Sequence, residues 1–366
     1  MNAELLYQLA LTLVPNIGDV QSKILVQHFG DAAAIFKAKA STLEKIEGIG
    51  PFRASCIRAF QDFHLAEAEM KFIEKFKVQT LFLTDPAYPK RLLNCYDSPT
   101  LLFYKGTADL NASKIVGVVG TRSCSDYGKS FTEKLVEDLS AEGIIVVSGL
   151  AYGIDAAAHK AALKYHTSTV GVVGHGLDKI YPSAHASLAK EMIKEGGGIL
   201  TEFFSGTQPD KHNFPLRNRV VAGMCDATVV IETAVKGGSM ITAKLADAYN
   251  RDVFAVPGRT TDKNSAGCNY LIQANKAILL TEAAELLETM GWKDVSTKPK
   301  KQRELFIELT PEERKVVDLL TEKELTPIDE INLRSGLNSS AVAAAILNLE
   351  LQSVVSSLPG KLYKLV

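Results

Sequence analysis

KIVGVVGTR, residues 114–122, is an unbroken apolar run that ends in a glycine turn and an arginine. The same grammar returns in GIIVVSGLAYG (143–153), TVGVVGHG (169–176), ATVVIETA (227–234) and RDVFAVPG (251–258), each followed by a stretch of helical character. Runs of Val and Ile without polar alternation imply strands covered on both faces, and strand–turn–helix repetition implies parallel connections. The expected architecture is therefore α/β, a Rossmann-like doubly wound parallel sheet. Ligands in such sheets sit beyond the carboxyl ends of the strands, which here carry Gly120-Thr121-Arg122, Ser148-Gly149, Gly174-His175-Gly176, Glu232-Thr233 and Pro257-Gly258-Arg259.

Outward from this core, expected to span 79–291, the text changes. Residues 1–78 show helical apolar spacing broken by glycine turns at Pro15-Asn16-Ile17-Gly18 and Glu47-Gly48-Ile49-Gly50-Pro51. They are expected to form an all-helical, helix-hairpin-helix or SAM-like domain, with the turn amides free to face a phosphate and Lys23 and Arg53 as the nearest cations. Residues 292–304 are polar and basic and read as a linker. Residues 305–366 read as three helices, near 311–321, 326–335 and 339–351, followed by a hairpin, the order of a winged helix. The third helix, SSAVAAAILNLEL, has no Lys or Arg, and acidic residues outnumber basic ones over 305–366. That composition favours a protein or intramolecular contact over a DNA groove.

With 366 residues and a net charge of −1, the chain has room for several packed units, and a nucleic-acid face would have to be local. The beginning lacks a secretory signal and no run approaches a membrane span, so a cytoplasmic location is expected. The 5 cysteines are scattered without a C-x-x-C pair, and the histidines have no metal spacing, so neither disulfides, a metal nor a cofactor is expected.

Four stretches carry candidate chemistry. Gly120-Thr121-Arg122-Ser123 opens onto a helix near Gly128, and Arg122 adds a phosphate fork to the helix start; neither a P-loop nor a G-x-G-x-x-G fingerprint is complete there. In SGLAYGIDAAAHKAAL (148–163), Asp155 is read as a helix cap and His159 as a hydrogen-bonded core residue, in preference to an acid–base pair. Lys211, Phe214, Arg217, Asn218 and Arg219 place cations, an amide and an aromatic within nine residues, the equipment of a single-strand reader. Gly237, Gly238 and Ser239, with Lys244 one turn on, form a glycine turn before a helix, where a backbone approaches phosphate closely.

Together, GTRSCSDYG, SGLAYGIDAAAHKAAL, TVGVVGHGLDKIYPSAH, FPLRNRVVAG, KGGSMITAKLA and DVFAVPG followed by SAGCNYLI resemble the DprA/Smf family in order and spacing. The resemblance covers about 85–280. It implies a non-enzymatic core that binds single-stranded DNA, forms a homodimer, and helps load the RecA recombinase onto strands covered by single-strand-binding protein in natural transformation. Carried across, the family's DNA contacts fall on Arg122, Ser123, Lys211, Phe214, Arg217, Asn218, Arg219 and the turn before Lys244; threonine at 121 replaces the serine of many members. Two other readings compete. A nucleotide enzyme resembling the lysine-decarboxylase-like phosphoribohydrolases would need P-G-G-x-G-T-x-x-E where this chain has KGGSMITAK, and a nucleotide sensor would bind a small phosphorylated ligand in the core.

Overall fold

A computed structural model describes residues 3–292, 309–323, 325–352, 354–358 and 361–365. The proposed linker lies almost wholly outside them. The chain divides into two compact units, Met1–Lys293 and Asp294–Val366.

The first unit begins with six helices: α1 (Ala3–Leu13), α2 (Asp19–Phe29), α3 (Ala32–Lys37), α4 (Ala40–Leu43), α5 (Gly50–Ala59) and α6 (His64–Phe76). Both glycine turns lie between helices, as expected, but their cations do not face outward. Arg53 donates to the carbonyls of Asn16 at 3.2 Å and Gly48 at 3.0 Å, fastening one turn to the other. The Lys23 ammonium reaches the carbonyls of Leu93 and Cys95 at 2.5 and 2.7 Å.

The sheet follows. Its strands are β1 (Gln79–Phe82), β2 (Leu101–Gly106), β3 (Ile115–Val119), β4 (Ile145–Ser148), β5 (Thr169–Val172), β6 (Gly198–Thr201), β7 (Ala227–Val230), β8 (Asp252–Ala255) and β9 (Ile278–Leu279). Between them lie α7 (Lys90–Leu93), α8 (Asp126–Ala141), α9 (Ile154–Lys164), α10 (Ala186–Lys194), α11 (Asn213–Met224), α12 (Gly238–Ala248) and α13 (Ala266–Gln273), and α14 (Ala283–Thr289) closes the unit. The spatial order is β1-β2-β6-β5-β4-β3-β7-β8-β9. From β6 to β9 every pairing is parallel, while β2 joins β6 and β1 joins β2 antiparallel. The parallel core matches the sequence reading; the antiparallel pair extends one edge.

Strand periodicity sorts the core into two faces. Val116, Val118, Val146, Ala227, Val229 and Phe254 pack with Leu135, Val136 and Leu139 of α8 and with Ile154 and Ala158 of α9. Ile115, Val119, Val147, Val170, Val230 and Ala255 join Val220 and Val221 of α11, Ala243 of α12 and the apolar residues of the helical segment. The chain walks outward from β3 through β4, β5 and β6, then returns to place β7 beside β3 on the other side. That reversal opens a crevice at the carboxyl end of β3.

The second unit holds α15 (Pro311–Thr321), α16 (Ile328–Ser335) and α17 (Ser339–Leu351), with strands β10 (Thr326–Pro327), β11 (Val355–Leu358) and β12 (Leu362–Leu365) ordered β10-β12-β11. This is a winged-helix arrangement around Val316, Leu320, Ile331, Val342, Ile346 and Leu349. The second helix starts two residues later than the spacing suggests, because Thr326 and Pro327 pair with β12.

Candidate functional site

The β3 crevice is a cavity of about 530 Å³ whose lining includes Arg122, Lys211, Phe214, Arg217, Asn218 and the turn Gly237–Ser239. Three strand ends, one helix face and one helix start build it.

The loop after β3 carries Arg122 into solvent, and its guanidinium carbon stands 5.2 Å from the centre of the Phe214 ring. A cation over an aromatic face leaves the guanidinium edges free for phosphate while sheltering one side of the ring. The loop is held from behind by Gly153, whose φ is +78°, and whose missing Cβ would collide with the Thr121 carbonyl and the Arg122 backbone. Only glycine permits both the left-handed backbone and that approach.

One face of α11 supplies the next wall. Phe214, Arg217, Asn218 and Val221 recur at helical spacing and all line the cavity. Phe214 is half-buried, and its ring leans on Tyr181 at 6.1 Å. Arg217 is buried; its Nη1 donates to the carbonyls of Gly149 and Val172, while its Nε finds no acceptor among the described residues. Gly149 admits this guanidinium, for a Cβ there would strike both Arg217 and the Asp155 carboxylate. Burial lowers the Arg217 pKa against the opposing pull of Asp155, and burial raises the Asp155 pKa against the pull of Arg217. The cavity floor is thus a desolvated Arg217 guanidinium with the Asp155 carboxylate beside it, and the positive charge that reaches solvent is carried by Arg122 and Lys211.

The third wall is the start of α12. Gly237, Gly238 and Ser239 line the cavity, and the Ser239 hydroxyl is buried without a partner among the described residues. Helix-start amides and an unpaired hydroxyl are ready donors to phosphate oxygen.

Three of the expected site residues lie elsewhere. Arg219 sits two positions beyond Arg217, about 200° round the helix, and is buried on the opposite side. There it donates to the Asp97 carbonyl, to Asp19 at 2.8 Å and to Glu202. Burial opposes its charge, but Glu202 and Asp19 outweigh that and raise its pKa. Lys244, likewise two positions past the cavity-lining Thr242, is exposed outside it. Ser123 is exposed beside Arg122, and its carbonyl accepts from Asn264 at 3.0 Å.

Asp155 proves not to be a helix cap. Gly153 holds that position in α9, and the Asp155 carboxylate reaches back to the Ala151 amide at 3.3 Å. His159 is fully buried, with Nδ1 2.7 Å from the Thr169 hydroxyl, so it faces the core and not the cavity. Sequence reasoning overlooked Tyr152 and Tyr181, which flank Arg122 and Phe214 in an adjoining recess. A tyrosine inside the glycine turn SGLAYG was the available signal. Among the described residues no group of three or more His, Cys, Asp and Glu could hold a metal, and no helix is long and apolar enough to cross a membrane.

Comparison with known proteins agrees with this architecture. The family model for DNA recombination-mediator protein A matches residues 79–291, and the DprA winged helix domain matches 299–361. Protein Smf of Synechocystis sp. is 34% identical over 99% of both chains. The DNA processing protein DprA of Streptococcus pneumoniae is 43% identical over 63% of this chain and 79% of its own. A solved structure of DprA from Streptococcus pneumoniae superposes with a TM-score of 0.64 at 36% identity, covering 77% of this chain and 95% of that one. A structure of DNA processing protein A from Helicobacter pylori, described for its single-stranded DNA binding mode, gives a TM-score of 0.53 at 30% identity over 58% of this chain and 95% of that one. With its core and its winged helix both matched and a relative aligned along almost its whole length, the chain belongs to the DprA/Smf family.

Proposed function

We propose that this protein holds single-stranded DNA in the β3 crevice and acts, without catalysis of its own, as a recombination mediator that protects incoming strands and helps load a RecA recombinase. The observation that carries the reading is the convergence of Arg122, Lys211, Phe214, Arg217 and the α12 start in one cavity. Cations and helix amides grip the sugar–phosphate chain, and the Phe214 face takes a base of any identity, so binding is sequence-tolerant. Single-strand-binding protein is the expected competitor for the strand. The DNA processing protein A of Helicobacter pylori, which binds single-stranded DNA, supports the same reading.

We place a homodimer contact on the edge strand β9, which pairs with β8 alone in the sheet and leaves Ile278 and Leu279 exposed. An open apolar strand edge invites a second copy. The test of function compares single-stranded and duplex DNA of equal length by gel shift at two salt concentrations. Preference for the single strand, with affinity falling as salt rises, is expected; equal affinity for both forms would refute the single-strand assignment. Release of free base from nucleoside monophosphates would favour the phosphoribohydrolase alternative.

A further inference from the structure

Beyond Tyr152 the surface falls into a second groove, of about 400 Å³, between α8 and α9. Its lining from α9 and the turn before it includes Gly153, Ala156, Ala157, Lys160, Ala161 and Lys164, one continuous helical face in which the small residues form the floor and the lysines the rim. From α8 come Lys129 and Glu133, four residues apart and again on one face. A narrow recess lined by Arg122, Tyr152, Tyr181, Phe214 and Arg217 lies between this groove and the pocket, and Tyr152 belongs to both walls.

We propose that the single-strand site continues over Tyr152 into this groove, so that one DNA strand occupies the pocket and the lysine-lined channel together. The proposal rests on the reading of the pocket as a single-strand site and adds a second subsite to it. Three features carry it. Lysines outnumber acids in the lining: Glu133 takes Lys164 at 2.5 Å, Lys129 is loosely held by the fully exposed Asp126 at 3.3 Å, and Lys160 has no ion pair among the described residues. Tyr152 is half-exposed at the junction, its ring set edge-on against His185 at 5.0 Å, and His185 is itself anchored to the Leu150 carbonyl at 2.9 Å. Such a braced ring is a stacking platform for a base passing between the subsites. Finally, Ala156, Ala157 and Ala161 line the groove floor, and their small side chains leave the lysines of the rim as its principal polar contacts, which suits a solvated sugar–phosphate chain.

The test uses the full chain and thymidine oligomers of roughly six and roughly eighteen nucleotides, within and beyond the span of one compact single-strand site. Parent protein should bind the longer oligomer more tightly. Lys160→Glu should lose roughly tenfold on the long oligomer, with a shallower salt dependence, while the short one is bound within about twofold of the parent. Tyr152→Ala should lose about fivefold or more on the long oligomer. Glu133→Gln, which releases Lys164, should gain about threefold on it. If Arg122→Ala binds the short oligomer as the parent does, the pocket reading itself fails. If Arg122→Ala weakens both lengths while Lys160→Glu weakens neither, the pocket stands and the extension is wrong. Loss of binding to an acidic peptide in Lys160→Glu, with long-oligomer binding intact, would make the groove a protein site and overturn the proposal.

Discussion

Arg219, on the same helix as the pocket's Arg217, donates to the carboxylate of Asp19 at 2.8 Å, across 200 residues of sequence. Asp19 in turn accepts from both the amide and the hydroxyl of Thr100 at 2.7 Å. The helical segment, the first loop of the sheet and the helix that carries the candidate site are thus joined at one buried guanidinium. Removing Arg219 would leave Glu202 buried without its partner, a loss of about 3–5 kcal/mol. Arg219→Ala should therefore lower the urea midpoint strongly, yet bind single strands within about twofold of the parent while folded, because its charge never reaches the pocket. A variant of normal stability and weakened DNA binding would restore Arg219 to the DNA contacts.

Arg122 and Phe214 should separate by their salt dependence. Arg122→Ala removes a phosphate contact, so the slope of log affinity against log salt should shrink by about 0.7. Phe214→Ala removes a stacking face, costing about 1–3 kcal/mol of affinity with the slope unchanged. Anisotropy titrations across a salt series read both. Identical slopes in Arg122→Ala and the parent would contradict the phosphate role.

His159 makes the fold acid-sensitive. Burial, with the His185 and Arg217 charges adding to it, pushes its pKa from 6.5 down to about 3. Its Nδ1 meets Thr169, whose hydroxyl donates to the Val146 carbonyl at 2.9 Å, so the ring donates from Nδ1 and stays neutral. The unfolded chain takes up a proton below pH 6.5 that the folded chain refuses, so this stability is complete above that value and drains away towards pH 3. Asp155 and Glu202, raised by burial, act with the opposite sign: they favour the fold below their ordinary pKa values and lose that contribution as pH rises through the folded ones. Comparison with His159→Gln isolates the histidine. The parent should lose about 2 kcal/mol more than the variant between pH 7 and pH 5 in urea unfolding. Equal losses would mean that the ring is already charged in the folded protein.

The β9 edge should be sensitive to charge. Lysine on an edge strand discourages pairing with another chain, so Ile278→Lys combined with Leu279→Lys should convert a dimer to a monomer in sedimentation experiments. Because both side chains are exposed, the monomer should keep the parent's secondary structure. A double variant that remains dimeric would move the contact to another surface.

How far these features were legible depends on their physical origin. Strands such as IVGVV, buried on both faces, announce themselves in composition, and the parallel core followed from them. The strands β1 and β2 lack the preceding strand–turn–helix pattern, and β2 joins the sheet antiparallel through β6, a partner nearly a hundred residues away in sequence. The cavity gathers Arg122, Lys211, Phe214, Arg217 and Asn218, whereas Arg219, which both the nine-residue cluster and the family resemblance group with them, lies outside it. Helical phase alone places residues 217 and 219 on opposite sides. Asp155 resembles a cap because it opens a helix, whereas its chemistry is set first by burial and then by Arg217, which only tertiary folding brings near. The turn cations Lys23 and Arg53 were visible, but not the carbonyls that claim them.

The strand order carries a consequence for synthesis. As the chain leaves the ribosome, β3 emerges with β4 on one flank and nothing on the other until residues 227–230 arrive to fill it. Neither the crevice nor the bond awaiting Asp19 can exist before α11 has been translated. The amino-terminal helices can settle early on residues 93–100 through Lys23 and Asp19, but their tie to Arg219 and the walls of the crevice wait for the later half of the sheet.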